Sequence, residues 1–193
     1  MGGWLFSRRS WVPLPIVAAI LATPSPPPSV PLLAAGMLTA AAGELVRLWA
    51  VRHIGVISRT RSDRLGPLIA TGPFGLVRNP LYIGNVLLWV GFTVSAGLLW
   101  LAPVVTAVLG VEYHAIVRWE ERLLEARIGE AYGIYARRVP RWNLFSRQSP
   151  VASRESTVAG VFSWRETLFS ERGTLVAIAL GYLLLWVKFT VNS

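Results

Sequence analysis

The segment around Asn79-Pro80 has the residue types of a helix start that could bind an anion. Asparagine is favoured at the capping position before a helix, and proline is favoured at the first helical position. Taken alone, Asn79-Pro80 predicts a turn followed by a helix. The backbone N–H groups at such a helix start also suit a carboxylate or a phosphate. Tyr82 would lie close to that anion, so a structural and a ligand-binding interpretation both stay open.

Two pairs of charged residues form a second group of candidates. Glu120 and Glu121 stand at the end of an apolar run, where acid–base pairs are commonly a solvated helix face. A carboxylate at the end of a membrane helix needs a partner, however, and a cationic ligand would be one. Glu44 and Arg47 are three residues apart, so they can pair on one helix face. This pair either neutralises itself near the membrane surface or lines a headgroup pocket.

The composition indicates a membrane protein without thiol or metal chemistry. The 193-residue chain is 53% hydrophobic and only 15% charged, whereas soluble domains carry about 25% charged residues. It has no cysteine, which excludes disulfides and thiol catalysis, and with two histidines we predict no metal site. The net charge of +9 comes mainly from arginines that flank apolar runs. The positive-inside rule accounts for them, and we predict no nucleic-acid partner.

The apolar runs predict an all-α integral membrane protein with about five transmembrane helices and a cytosolic site of helices and loops. We expect a single membrane domain. Its predicted parts are a helical hairpin at 1–52, a core at 53–141, a cytosolic linker or interfacial helix at 142–173 and a last span at 174–190.

The positions of the charges predict an orientation for these spans. The arginine-rich segments 52–78 and 118–172 should lie in the cytosol together with the N-terminus, which leaves the C-terminus outside. Within the amphipathic stretch 118–138, Gly129 and Gly133 favour two short helices over one.

The ordered motifs between about Val51 and Arg141 resemble the isoprenylcysteine carboxyl methyltransferase family, which is related to phospholipid methyltransferases. That family shows Arg-His-Pro-x-Tyr-x-Gly, then a Glu-Glu pair, then Phe-Gly-x-x-Tyr-x-x-Tyr and a closing Arg-Val-Pro. The corresponding segments here are Arg78-Asn79-Pro80-Leu81-Tyr82-Ile83-Gly84, Glu120-Glu121, Ile128-Gly129-Glu130-Ala131-Tyr132-Gly133-Ile134-Tyr135 and Arg138-Val139-Pro140.

The resemblance implies that S-adenosyl-L-methionine binds at the cytosolic ends of the helices, while a lipophilic or lipidated acceptor enters from the bilayer. The implied cofactor contacts are Arg59, Gly66, Pro67, Leu68, Ile69, Phe74, Asn79, Pro80, Leu81, Tyr82 and Glu120. This chain departs from the family pattern at three of them. Asn79 replaces a histidine, Arg59 replaces a glutamine, and Phe74 replaces a tyrosine and so lacks its hydroxyl.

The resemblance further implies methyl transfer to an isoprenylcysteine-like carboxylate, with Arg118 as the nearest candidate for the family's substrate-contacting arginine. A carboxylate is already ionised at pH 7, so this reaction needs no general base. The alternative is methylation of a phospholipid amine, for which Glu121 or His114 would be the base. A sterol-type membrane reductase that uses NADPH and a non-catalytic membrane scaffold are further alternatives.

Overall fold

The computed structural model describes residue 11 and residues 13–55, 68–143 and 162–191. These residues form α-helices and one 3-10 turn, and they contain no β-strand, which confirms the predicted all-α class. The α-helices are α1 (Pro13–Ala22), α2 (Val30–Ile54), α3 (Pro80–Ser95), α4 (Leu101–Ile128), α5 (Glu130–Arg138) and α6 (Trp164–Val191), and the 3-10 turn is Gly72–Gly75.

Helices α2, α4 and α6 are long and apolar enough to cross a membrane, and α1 and α3 are shorter apolar helices. A 16-residue helix such as α3 spans about 24 Å, which is less than the hydrocarbon core of about 30 Å. Much of the surface of α6 is apolar and exposed, for example at Leu180, Leu183 and Trp186. These features support an integral membrane protein.

Glycines allow α2 and α3 to pack with their backbones in close approach. A Cβ atom added at Gly43 would lie 2.6 Å from the carbonyl oxygen of Gly84, and one added at Gly91 would lie 2.7 Å from the carbonyl oxygen of Gly36. Each helix thus presents two glycines seven residues apart, on one face. Small residues at such an interface permit the close contact that stabilises helix pairs in membranes.

Helix α4 continues beyond the apolar run that precedes Glu120 and carries Glu120 and Glu121 on its last turns. The predicted break in the amphipathic stretch occurs at Gly129 alone, because its φ of 65° ends α4 and begins α5. Gly133 lies within α5.

Helix α6 begins at Trp164, before the predicted start of the last span at residue 174. The reason is a capping box. The Ser163 backbone N–H donates to Glu166 Oε2 (2.8 Å), and the Glu166 backbone N–H donates to Ser163 Oγ (3.3 Å). The end of the segment predicted as a linker or an interfacial helix is therefore the first part of α6. Residues 144–161 lie outside the described residues.

The main apolar core lies between α3, α4, α1 and α6. It includes Leu88 and Phe92 of α3, Leu109 of α4, Ile20 of α1 and Leu185 of α6. This core fixes the relative positions of α3 and α4, whose ends carry the candidate site.

Candidate functional site

Tyr82 and Glu120 join the start of α3 to the end of α4. The Tyr82 hydroxyl donates to Glu120 Oε1 (3.1 Å) and Oε2 (3.2 Å). The Tyr82 ring packs on Tyr113 of α4, with 4.7 Å between the ring centroids. The two motifs that the sequence places 38 residues apart therefore meet at one site.

Glu121 lies between two arginines, and we call Arg78, Glu121 and Arg141 the Glu121 cluster. Arg78 Nη1 contacts Glu121 Oε1 at 2.9 Å, and Arg141 Nη2 contacts Glu121 Oε2 at 2.6 Å. The hydrogen bonds to Glu121 raise the pKa of the Arg141 guanidinium. Glu121 thus ties the chain before α3 and the chain after α5 to the end of α4.

The backbone reinforces this tie between segments. The Arg78 N–H donates to the Pro140 carbonyl (2.9 Å), and Asn79 Nδ2 donates to the Arg141 carbonyl (3.2 Å). Asn79 occupies the capping position and Pro80 the first helical position, as predicted, but the Asn79 side chain makes no capping hydrogen bond. The N–H groups in the first turn of α3, which have no acceptor within the helix, are therefore left uncapped by Asn79.

Arg78 also carries a donor that the described residues leave unused. Its Nε atom is buried and lacks a hydrogen-bond partner within the described part of the chain. A buried donor of this kind is costly unless a partner reaches it. Beside the uncapped helix start, it offers a second donor for an anionic group.

The 3-10 turn packs against α5 beside this site. Phe74 is buried, and its carbonyl accepts a hydrogen bond from the Tyr135 hydroxyl (2.8 Å). Leu68 packs against the apolar cluster that includes Tyr132 and Val139. Burial raises the pKa of both the Tyr132 and the Tyr135 hydroxyls. The segment 68–75 therefore supplies apolar surface next to the polar groups.

The structure brings several predicted site residues together and leaves others apart or outside its description. Asn79, Pro80, Tyr82, Glu120 and Glu121 share the junction of α3 and α4. The other described residues among the predicted cofactor contacts lie in the segment next to it or at the start of α3: half-buried Leu68, Ile69 and Leu81, and buried Phe74. The predicted contacts Arg59, Gly66 and Pro67 lie outside the described residues.

Arg118, predicted as the substrate contact, is exposed on α4. It precedes Glu120 by two residues, which corresponds to about 200° around a helix. It therefore lies on the opposite side of α4 from Glu120.

The sequence interpretation did not select Arg78, Arg141 or Glu112 as site residues. Arg78 and Arg141 stand next to the two motif ends, Asn79-Pro80 and Pro140, and that adjacency was the available signal. Glu112 is an acid inside the apolar run that precedes Glu120, where an ionisable residue is a functional candidate by default.

A second group of charges connects α2, α3 and α6, and we call Glu44, Arg47 and Glu171 the Arg47 cluster. The predicted Glu44–Arg47 pair is confirmed, with 3.2 Å between Arg47 Nε and Glu44 Oε2. Arg47 Nη2 also contacts Glu171 Oε2 at 2.5 Å, and Arg47 Nη1 donates to Asn85 Oδ1. All three charged side chains are largely buried, with 14% or less of each exposed.

No group of three or more histidine, aspartate or glutamate side chains that could hold a metal occurs in residues 13–55, 68–143 and 162–191.

The family model for phospholipid methyltransferases matches residues 32–131, which is 100 of the 193 residues. This range includes α3 and the end of α4, and so both sides of the Tyr82–Glu120 contact. The chain belongs to the phospholipid methyltransferase family. The resemblance seen in the motifs is thus confirmed at the level of this broader family.

This phospholipid methyltransferase family member is also similar to two curated proteins. It is 31% identical over 140 residues to the nickel-cobalt-cadmium resistance protein NccN of Alcaligenes xylosoxydans xylosoxydans. This alignment covers 72% of this chain and 62% of that protein. It is 28% identical over 137 residues to the cobalt-zinc-cadmium resistance protein CzcN of Cupriavidus metallidurans. That alignment covers 71% of this chain and 59% of the relative. The chain thus spans less than two thirds of the length of either relative. No solved structure matches it.

Proposed function

We propose that this protein is an integral membrane methyltransferase that uses S-adenosylmethionine and acts on a lipophilic acceptor. The observation that carries the proposal is the Tyr82–Glu120 contact, which sets a proline-started helix against an acidic pair. The family match supports methyl transfer as the reaction class.

The residues at the junction of α3 and α4 suit the charged groups of S-adenosylmethionine. Its amino group is a cation that the Glu120 carboxylate can bind. Its carboxylate suits the unused donor Arg78 Nε and the uncapped first turn of α3. Apolar side chains of the neighbouring segment, Leu68 and Phe74, are available for the adenine ring.

The protein's own contribution to such a reaction is positioning and exclusion of water. When bound, the cofactor supplies a methyl group on a positively charged sulfur. The sulfur is the leaving group and keeps the electron pair of the broken carbon–sulfur bond. Tyr82 fixes the Glu120 carboxylate, and Glu121 holds the Arg78 guanidinium in place. Fixed geometry of this kind can supply much of a rate enhancement by itself.

Two acceptor classes fit this proposal. The motif resemblance supports carboxyl methylation of an isoprenylcysteine-like substrate. Its predicted contact, Arg118, lies on the side of α4 opposite Glu120. The family match supports methylation of a phospholipid amine. The products differ chemically, because a methyl ester is cleaved by mild base and a methylamine is not.

The orientation of the chain is a further part of the proposal. We infer that the N-terminus and the cofactor site face the cytosol and that the C-terminus lies outside, because the arginine-rich segments flank the site. The absence of native cysteine allows a test with single introduced cysteines and a membrane-impermeant thiol reagent. An introduced cysteine after α6 should react from outside intact cells, and one next to the site should not.

Calorimetric titration of the purified protein with S-adenosylmethionine and with NADPH tests the function itself. We expect the protein to bind S-adenosylmethionine and not NADPH. In a separate assay with labelled cofactor, we expect transfer of the methyl group to a lipid-soluble product. Binding of NADPH without binding of S-adenosylmethionine would favour a sterol-type reductase, and binding of neither compound would favour a scaffold.

The variant Arg78→Gln tests the anion-binding part of this site. Loss of a charge-assisted hydrogen bond costs about 1.5–3 kcal/mol, so we expect affinity for S-adenosylmethionine to fall about tenfold or more. Arg127→Gln is the matched control, because Arg127 is exposed on the last turn of α4. Equal affinity in the two variants would remove Arg78 from the site.

A further inference from the structure

Glu112 is a buried acid that the proposed site does not use. Only 6% of the residue is exposed, and both carboxylate oxygens are buried without a hydrogen-bond partner in the described part of the chain. Its neighbours along the buried side of α4 are Leu109 and Ile116, which are fully buried. The carboxylate therefore lies in apolar surroundings within a membrane helix.

Glu112 lies on the membrane side of the Tyr82–Glu120 contact. It precedes Glu120 by eight residues on α4, which is about 12 Å along the helix axis. The next residue, Tyr113, packs on the Tyr82 ring. Under the proposed function, an acceptor that enters from the bilayer would reach the junction of α3 and α4 from this direction.

The free-energy cost of burying an ionised Glu112 carboxylate decides between two roles. An ionised carboxylate without a partner is strongly unfavourable in apolar surroundings, so a partner must reach it or it must stay protonated. A permanently protonated acid would be structural, and glutamine would replace it without loss. A carboxylate that accepts a proton or a cation from a ligand would not tolerate glutamine.

We propose that Glu112 binds the amine headgroup of the acceptor and takes up its proton. This inference rests on the proposed function and on the amine acceptor that the family match supports, and it adds the residue that binds the amine. An anionic carboxylate acceptor would be repelled by Glu112, whereas an ammonium group would provide the missing partner.

The chemical step at Glu112 is a proton transfer. The N–H bond of the acceptor ammonium breaks, its electron pair stays on nitrogen, and the proton bonds to a Glu112 oxygen. The nitrogen then uses that pair to bond to the methyl carbon and becomes a methylated ammonium, while the bond between this carbon and the cofactor sulfur breaks and its electron pair stays on sulfur. Glu112 next returns its proton to solvent. Charge and atoms balance, because the acceptor loses one proton and gains one methyl cation.

Three variants of the full chain test this role: Glu112→Gln, Glu112→Asp and the matched control Glu125→Gln, since Glu125 is exposed on the same helix. Each is titrated with S-adenosylmethionine and assayed with labelled cofactor on phosphatidylglycerol vesicles that contain phosphatidylethanolamine. We expect E112Q to bind S-adenosylmethionine as the wild type does and to lose methyl transfer about a hundredfold or more. E112D should keep part of the activity, and E125Q should keep all of it.

The outcomes separate this inference from the proposed function. Wild-type transfer rates in E112Q would overturn the role of Glu112, and so would loss of S-adenosylmethionine affinity in that variant. A wild-type enzyme that methylates only N-acetyl-S-farnesylcysteine, and no amine lipid, would also overturn it while leaving the proposed function intact. Failure of the wild type to bind S-adenosylmethionine would instead overturn the proposed function.

A measurement on the wild type covers the case in which E112Q does not fold. A lipid with a trimethylammonium headgroup cannot accept a methyl group, but it can occupy an anionic headgroup site. We expect it to inhibit amine methylation competitively, and we expect a diacylglycerol with the same chains not to inhibit. Absence of competitive inhibition would overturn the proposal.

Discussion

The two charged clusters of this protein are opposite in composition. In the Glu121 cluster one carboxylate forms ion pairs with two guanidinium groups, whereas in the Arg47 cluster one guanidinium group forms ion pairs with two carboxylates. The first leaves a buried donor unused at Arg78 Nε, and the second leaves a buried acceptor unused at Glu44 Oε1. Only the first therefore has spare capacity for an anion.

The clusters also differ in where they lie. The Glu121 cluster joins helix ends and loops, and Arg141 is 32% exposed. The Arg47 cluster connects three apolar helices, and 4% of the Glu171 side chain is exposed. Buried charges depend far more on their partners than exposed charges do. We therefore propose ligand binding for the Glu121 cluster, whereas the Arg47 cluster joins three helices.

The largest effect on stability should come from Arg47→Met. This change leaves Glu44 and Glu171 buried without their shared partner, so we expect the free energy of unfolding to fall by about 3–5 kcal/mol. Chemical unfolding in detergent micelles measures it. The triple variant Arg47→Met, Glu44→Gln, Glu171→Gln should recover most of the loss, and no recovery would contradict the electrostatic explanation.

A smaller effect is expected from Glu121→Gln. It removes the negative charge between Arg78 and Arg141, but water can reach the partly exposed Arg141. We expect a loss of about 1–2 kcal/mol in the same unfolding experiment. A loss as large as that of Arg47→Met would mean that the stability of both clusters depends equally on their charge partners.

The smallest effect at neutral pH is expected from Tyr135→Phe. It removes the buried hydrogen bond to the Phe74 carbonyl, for a loss of about 1 kcal/mol. At alkaline pH the stability difference between the wild type and the variant should narrow. Because burial raises the pKa of the Tyr135 hydroxyl, the unfolded chain releases this proton first, above about pH 10, and wild-type stability falls as pH rises. The variant should lose less stability above pH 10, and identical pH profiles would exclude Tyr135 as a cause.

Local patterns predicted much of the fold and part of the site. Apolar runs indicated the helices, and Asn79-Pro80 gave the start of α3, because both signals depend on neighbouring residues. The start of α6 was available from the sequence as the Ser163–Glu166 capping box but was not recognised.

The partners within the site depend on tertiary packing and could not be obtained from local signals. The pairing of Glu121 with Arg78 and Arg141 joins residues up to 43 positions apart, and that of Arg47 with Glu171 spans 124 positions. The unused capacity of Arg78 Nε and the isolation of Glu112 depend on every neighbour in space. Only a three-dimensional structure contains that information.

The central claim is that S-adenosylmethionine binds against Glu120 at the junction of α3 and α4. Titration of Glu120→Gln beside the exposed control Glu125→Gln tests it directly, because glutamine can still accept the Tyr82 hydrogen bond and lacks only the charge. We predict that E120Q weakens binding of S-adenosylmethionine by about tenfold to a hundredfold and that E125Q binds as the wild type does. Equal affinity in the wild type and both variants would contradict the claim.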